Sequence, residues 1–78
     1  MIPKNKGELK EFLEDMISHV TFEFNGKPCG IDPISRDNYE MWYGNDLKTA
    51  KSIDEVMSVK FFNGESINDI ADNVEFDC

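Results

Sequence analysis

Two side chains in this sequence carry the groups of nucleophilic catalysis: the thiol of Cys29 and the imidazole of His19, the only histidine. A thiolate attacks, and an imidazole takes its proton, only when the two lie within hydrogen-bond reach. His19 falls where a helical pattern hands over to a strand pattern. The pairing of that strand, argued below, sets Cys29 beside Phe22 on an apolar face, where a free cysteine behaves as a small hydrophobe. A structural thiol is therefore expected, with His19 acting as a cation near a helix C-terminus. No catalytic residue is assigned.

The sixteen acidic residues offer ligands for a cation, but their spacing does not suit one. A calcium loop needs acids at alternate positions, then a glycine and a late glutamate, and neither 32–43 nor 63–74 has that layout. Asp69 and Asp72 share a helix face and read as a solvated surface. The five glycines are scattered, without a phosphate-binding motif, and Gly26, Gly44 and Gly64 read as turn residues. Two cysteines, Cys29 and Cys78, are too few for a disulfide scaffold and too far apart for a structural zinc site. They form either one bridge or, as a reducing compartment favours, two free thiols. No cofactor and no metal is expected.

These groups must be positioned by a chain of 78 residues, enough for one domain over 1–78. A core of that size contributes on the order of 3–5 kcal/mol and leaves little chain for a deep cleft, which argues against an enzyme. Hydrophobic residues at 40% exclude the disordered class. The start, MIPKNKGELKEFL, lacks the apolar run of a secretion signal, and no stretch approaches the roughly 20 apolar residues of a membrane span. Cytoplasmic location without membrane contact is expected. Net charge is −8, which disfavours direct nucleic-acid binding, since that needs lysine and arginine to displace counterions. Residues 52–78 hold seven acids against Lys60 alone, whereas 1–51 hold nine acids against seven bases.

Hydrophobic periodicity supplies the elements. Leu9, Phe12, Leu13, Met16 and Ile17 fall on one helical face, and Asn5 with Glu8 three residues on forms a variant capping box, which predicts a helix from Lys6 to Ser18. Val20, Phe22 and Phe24 then alternate as a strand, and Asn25-Gly26 suits a two-residue type I′ turn. The implied register pairs Phe24 with Lys27, Phe22 with Cys29 and Val20 with Ile31. One face thus carries Val20, Phe22, Phe24, Cys29 and Ile31, and the helix packs there. A polar loop is expected from Asp32-Pro33 to Asn38, then a strand over Tyr39–Tyr43, with Gly44-Asn45 returning the chain toward Leu47–Lys51. Ser52 with Glu55 starts a short helix bearing Ile53, Val56 and Met57. Ser66 caps a last one bearing Ile67, Ile70, Ala71 and Val74, and a frayed tail follows from Glu75. The two Phe-Asn-Gly segments read as independent turns. The fold expected is α+β: an N-terminal helix packed on an antiparallel β-meander of three to four strands, followed by one or two short C-terminal helices.

The aromatic strand is the strongest functional feature. Tyr39, Met41 and Tyr43 point one way and Trp42 the other, paired with Leu47, so one set faces away from the helix unless the sheet is covered on both sides. Either the C-terminal helices cover Trp42 and Leu47, or these residues form an apolar patch for a partner or a second copy. Tyr39, Trp42 and Leu47, with the acids Asp54, Glu55, Asp69 and Asp72, are the candidate partner-binding residues.

The run FNGKPCGIDP, the strand YEMWYG and the ending SIDEVMSVKFFNGESINDIADNV resemble small uncharacterised proteins of low-GC Gram-positive bacteria and their phages. The seven-to-one ratio of lysine to arginine is compatible with that origin. The resemblance covers most of the chain and implies a setting, with no functional residue. The leading expectation is a non-enzymatic interaction module that binds a protein partner or itself. A second is an acidic mimic of nucleic acid inhibiting a DNA- or RNA-binding protein, with Asp54, Glu55, Glu65, Asp69, Asp72 and Glu75 in one band. A third is a small ligand binder or enzyme using Cys29 and His19.

Overall fold

The structure, a computed structural model, describes residues 2–77. Helix α1 (Lys6–Glu14) leads into strands β1 (Val20–Phe24), β2 (Lys27–Ser35), β3 (Asn38–Tyr43) and β4 (Asp46–Ala50). Short helices α2 (Ile53–Ser58) and α3 (Ile67–Ile70) follow, the last continuing as a 3-10 turn over Ala71–Asn73. The strands form one antiparallel sheet in chain order. Helical residues Leu9, Phe12, Leu13, Val56, Met57, Ile67 and Ile70 share a single core with Val20, Phe22, Cys29, Ile31, Tyr39, Met41 and Tyr43. These strand residues occupy one face of the sheet, so the architecture is the expected two-layer α+β domain. Among the described residues, no helix is long and apolar enough to cross a membrane.

Each helix start is fixed by a side chain taking an orphan amide. Asn5 Oδ1 accepts from Glu8 N at 2.9 Å and Ser52 Oγ from Glu55 N at 3.0 Å. The reciprocal arm differs from a capping box at these two starts. Glu8 Oε1 takes the amide of Lys4 and Glu55 Oε1 that of Lys51, one residue before the cap. Only α3 closes the full box, between Ser66 and Asp69.

Helix α1 stops at Glu14, short of the predicted Ser18. Met16 turns left-handed at φ 54°, and its amide bonds Leu13 O while that of Ile17 reaches back to Phe12 O. This is a Schellman closure, with methionine in the position glycine usually fills. Ile17, predicted on the buried stripe, is consequently 57% exposed.

The first hairpin has the predicted register, Val20 to Ile31, Phe22 to Cys29 and Phe24 to Lys27. Asn25 and Gly26 both take positive φ, 57° and 75°, as a type I′ turn requires. Asn63 and Gly64 repeat this chemistry at 56° and 82°, and Phe62 and Glu65 exchange both backbone hydrogen bonds across them.

The polar loop predicted from Asp32 to Asn38 is instead mostly strand. β2 runs on to Ser35 and turns at Arg36-Asp37, with an irregularity between Pro33 and Ser35. Its two prolines survive in a central strand because alternate residues aim their N–H groups at opposite neighbours. Pro33 would donate toward β1, whose pairing has already ended at Val20–Ile31. Pro28 lies beyond the last β2–β3 pair, Cys29–Tyr43, and needs only its carbonyl, which accepts from Gly44 N at 2.8 Å.

Residues 75–77 of the tail are also held in place, contrary to the fraying expected from Glu75 to Cys78. Phe76 is buried against Phe22, with ring centroids 5.2 Å apart. Asp77 and Thr21 exchange backbone hydrogen bonds of 2.7 and 2.8 Å along the outer edge of β1. Burial of one aromatic ring outweighs the fraying tendency of a short terminal segment.

Candidate functional site

Among the described residues, no helix packs on the second face of the sheet, since the helical core residues all join the first. Cross-strand pairing places Thr21, Gly30, Trp42 and Leu47 in one row across all four strands. Glu23 and Pro28 flank this row on one side, and Asp32, Glu40 and Thr49 on the other. Glu23, Pro28, Glu40, Leu47 and Thr49 are all exposed, and Leu47 is 79% accessible. The ambiguity in the aromatic strand is thereby resolved. Tyr39, Met41 and Tyr43 enter the core, and Trp42 with Leu47 faces away from the helices.

Tyr39 is therefore corrected as a partner-binding residue. It is 2% exposed and belongs to the core because its parity along β3 matches Met41 and Tyr43. Burial, reinforced by the charge of Glu14, pushes its phenol pKa upward.

Trp42 is half-buried, and what covers it is its own sheet. The indole lies flat over Gly30, where a Cβ would overlap ring atoms Cζ2, Cη2 and Cε2. Glycine in a strand interior marks such a close approach, and that is the one signal of it that Gly30 carries in the sequence. On one side of the ring opens a groove of about 420 Å³, lined by Thr21, Glu23, Pro28, Trp42, Glu75 and Asp77. On the other a hollow of about 130 Å³ reaches Glu40, Leu47 and Thr49. No strand residue on this face is basic, and Asp32 sits directly opposite Glu40. Like charges so placed are destabilising.

The acidic candidates lie on the helical layer, across the sheet from Trp42, and each interacts within the chain. Glu55 holds the α2 start and approaches Lys48 at 3.9 Å. Asp72 accepts from the amide of Lys6 at 3.1 Å. Asp54 comes within 3.8 Å of Lys10 on α1. Asp69 is the most engaged, bonded to Lys60 Nζ at 2.7 Å and to both the amide and hydroxyl of Ser66.

Those bonds, that of Lys60 foremost, lower the Asp69 pKa from 3.8 to about 2. A depressed folded-state value contributes stability above the unfolded pKa and loses it as pH falls through the folded one. Acid titration from about pH 4 to pH 2 should therefore destabilise the wild type more than Asp69→Asn, as read by urea midpoints. Added salt should shrink the difference, because Lys60 is exposed.

Cys29 is a free thiol at 1% exposure and donates to Lys27 O at 3.4 Å. Desolvation pushes its pKa up, against the demand of a thiolate nucleophile. His19 is exposed in the segment before β1, beyond the end of α1. Cys78 lies outside the described residues. In a Cys78→Ser background, a disulfide reagent should leave Cys29 unmodified under native conditions and react fully in denaturant. Rapid native labelling would restore Cys29 as a reactive group.

No family model, curated protein or solved structure matches the chain.

Proposed function

We propose that the protein is a non-enzymatic acidic interaction module of the cytoplasm, binding a protein partner through the open face of its sheet. The observation that carries this reading is the pairing of Trp42 with an exposed Leu47 on a face without a basic strand residue. Tryptophan is enriched at binding hot spots, and an apolar centre with a charged rim is the anatomy of an interface. Self-association through the same face is the less favoured form, because two copies would bring Glu23, Asp32 and Glu40 against their like. The reading as a nucleic-acid mimic draws less support, since Glu55, Asp69 and Asp72 already accept backbone amides of this chain. The resemblance to small proteins of low-GC Gram-positive bacteria and their phages supplies the setting for a partner search.

Leu47→Asp tests the proposal without touching the core. Proteins retained by immobilised wild type from a lysate of the source cell should be lost from this variant. Equal retention by both would overturn the reading.

A further inference from the structure

We infer that the groove between Trp42 and the C-terminal segment receives an arginine side chain from a basic segment of the partner. This rests on the reading of the open face as a protein interface and names the chemistry it recognises. Three observations converge. The groove is bordered by the Trp42 indole, whose inner face rests on Gly30 where a Cβ would overlap it, so that its outer face is turned away from the sheet. Its rim carries the exposed carboxylates of Glu23 and Glu75, supplied by β1 and by the segment after the 3-10 turn. No lysine or arginine lines it.

A guanidinium matches all three features. It is planar and weakly hydrated, so it stacks on an indole, and its forked donors pair with carboxylates in its plane. A lysine would supply charge without the stacking plane. A phosphate or acidic peptide would be repelled by the rim, and a second copy of this chain would bring the same acids to meet it. The opposed Asp32 and Glu40, beyond the other side of the Trp42 ring, extend the same demand for positive charge along the face. The occupant is therefore a basic segment with an apolar residue adjoining its arginine, to meet Leu47.

The single tryptophan makes the test direct, because all indole emission comes from this face. The full chain is titrated at low salt with acetyl-Gly-Arg-Leu-Arg-Gly-amide, and with the same peptide carrying citrulline, which keeps the shape and loses the charge. The arginine peptide should give a saturable change in emission that the citrulline peptide does not. Glu23→Gln with Glu75→Gln should weaken it by about three- to tenfold, the product of two exposed charge contacts. Both positions are exposed, and an unchanged melting temperature shows that the double variant is folded. No saturable change with the arginine peptide, equal binding of citrulline, or equal binding by the folded double variant would each overturn the inference. So would a dimer in sedimentation that Leu47→Asp dissolves, since a second copy would then occupy the groove. If the peptide fails while lysate capture remains sensitive to Leu47→Asp, the cationic groove alone is wrong. If both fail, the interface reading falls with it.

Discussion

Phe62→Ala is expected to abolish the cooperative unfolding transition at 25 °C and to leave the chain largely unfolded. Phe62 is fully buried, next to the Asn63-Gly64 turn. Its ring stands 5.1 Å from Phe61, 5.5 Å from Phe22 and 6.3 Å from Tyr43, and Phe22 continues the cluster to Phe76. One side chain thus joins both long-range ends of the molecule, the first hairpin and the C-terminal third. Truncating a buried phenylalanine costs about 3–5 kcal/mol. A core in a domain this small supplies about the same amount, so nothing remains. Phe62→Leu keeps most of the volume and should fold with a measurable loss. Circular dichroism and urea titration of the two variants check the assignment. A cooperative Phe62→Ala transition near the wild-type midpoint would show that the cluster does not bind the two halves together.

The second large effect is expected at Gly30. An alanine there forces the Trp42 ring off the sheet, because the new methyl falls within the ring. Overpacking of this kind costs about 1–3 kcal/mol, against a gain of about 0.4–1 kcal/mol from a stiffer unfolded chain. Gly30→Ala should therefore destabilise the protein and shift its emission to the red as the indole meets water. In a Trp42→Thr background the clash is gone and only the gain survives, so the same substitution should become neutral or stabilising. That sign reversal, a coupling of about 1–3 kcal/mol, is what a double-mutant cycle reads. Additive effects would mean that the ring does not rest on Gly30 in solution.

The parts of the fold that a sequence reader can recover are those where local chemistry admits one answer. Asn25-Gly26 tolerates two positive φ angles, and alternation from Val20 to Phe24 allows only one register, so the hairpin follows. Other parts depend on relations between distant residues. Met16 adopts a left-handed turn that nothing in its side chain announces, so α1 ends early. Pro28 and Pro33 argue for a loop until it is known where β1 and β3 stop beside them. Phe76 holds the tail only because Phe22 is there to receive it. The candidate site was half visible for a similar reason. Parity pairs Trp42 with Leu47, but both sides of β3 are apolar enough to be core, so an aromatic ring such as Tyr39 suits either side until the helices are placed. Which side the helices cover was decided by the packing of Leu9, Phe12, Val56 and Ile67. The acidic groove brings Glu23 together with Glu75, residues far apart in the chain, and no local pattern links them.

The bridge between Thr21 and Asp77 matters for what this protein does not do. A four-stranded sheet in chain order has two unpaired borders, and each is a template on which further chains can add strand by strand. Here the β1 border is occupied near its start by the protein's own last described residue, which takes up the donor and acceptor of Thr21. The β4 border is only five residues long and carries Asp46 and Lys48, a short and charged stretch unsuited to templating. An open apolar row lies between two such blunted borders. A protein built this way can offer Trp42 and Leu47 face-on to a partner while closing the edge-on route to fibres.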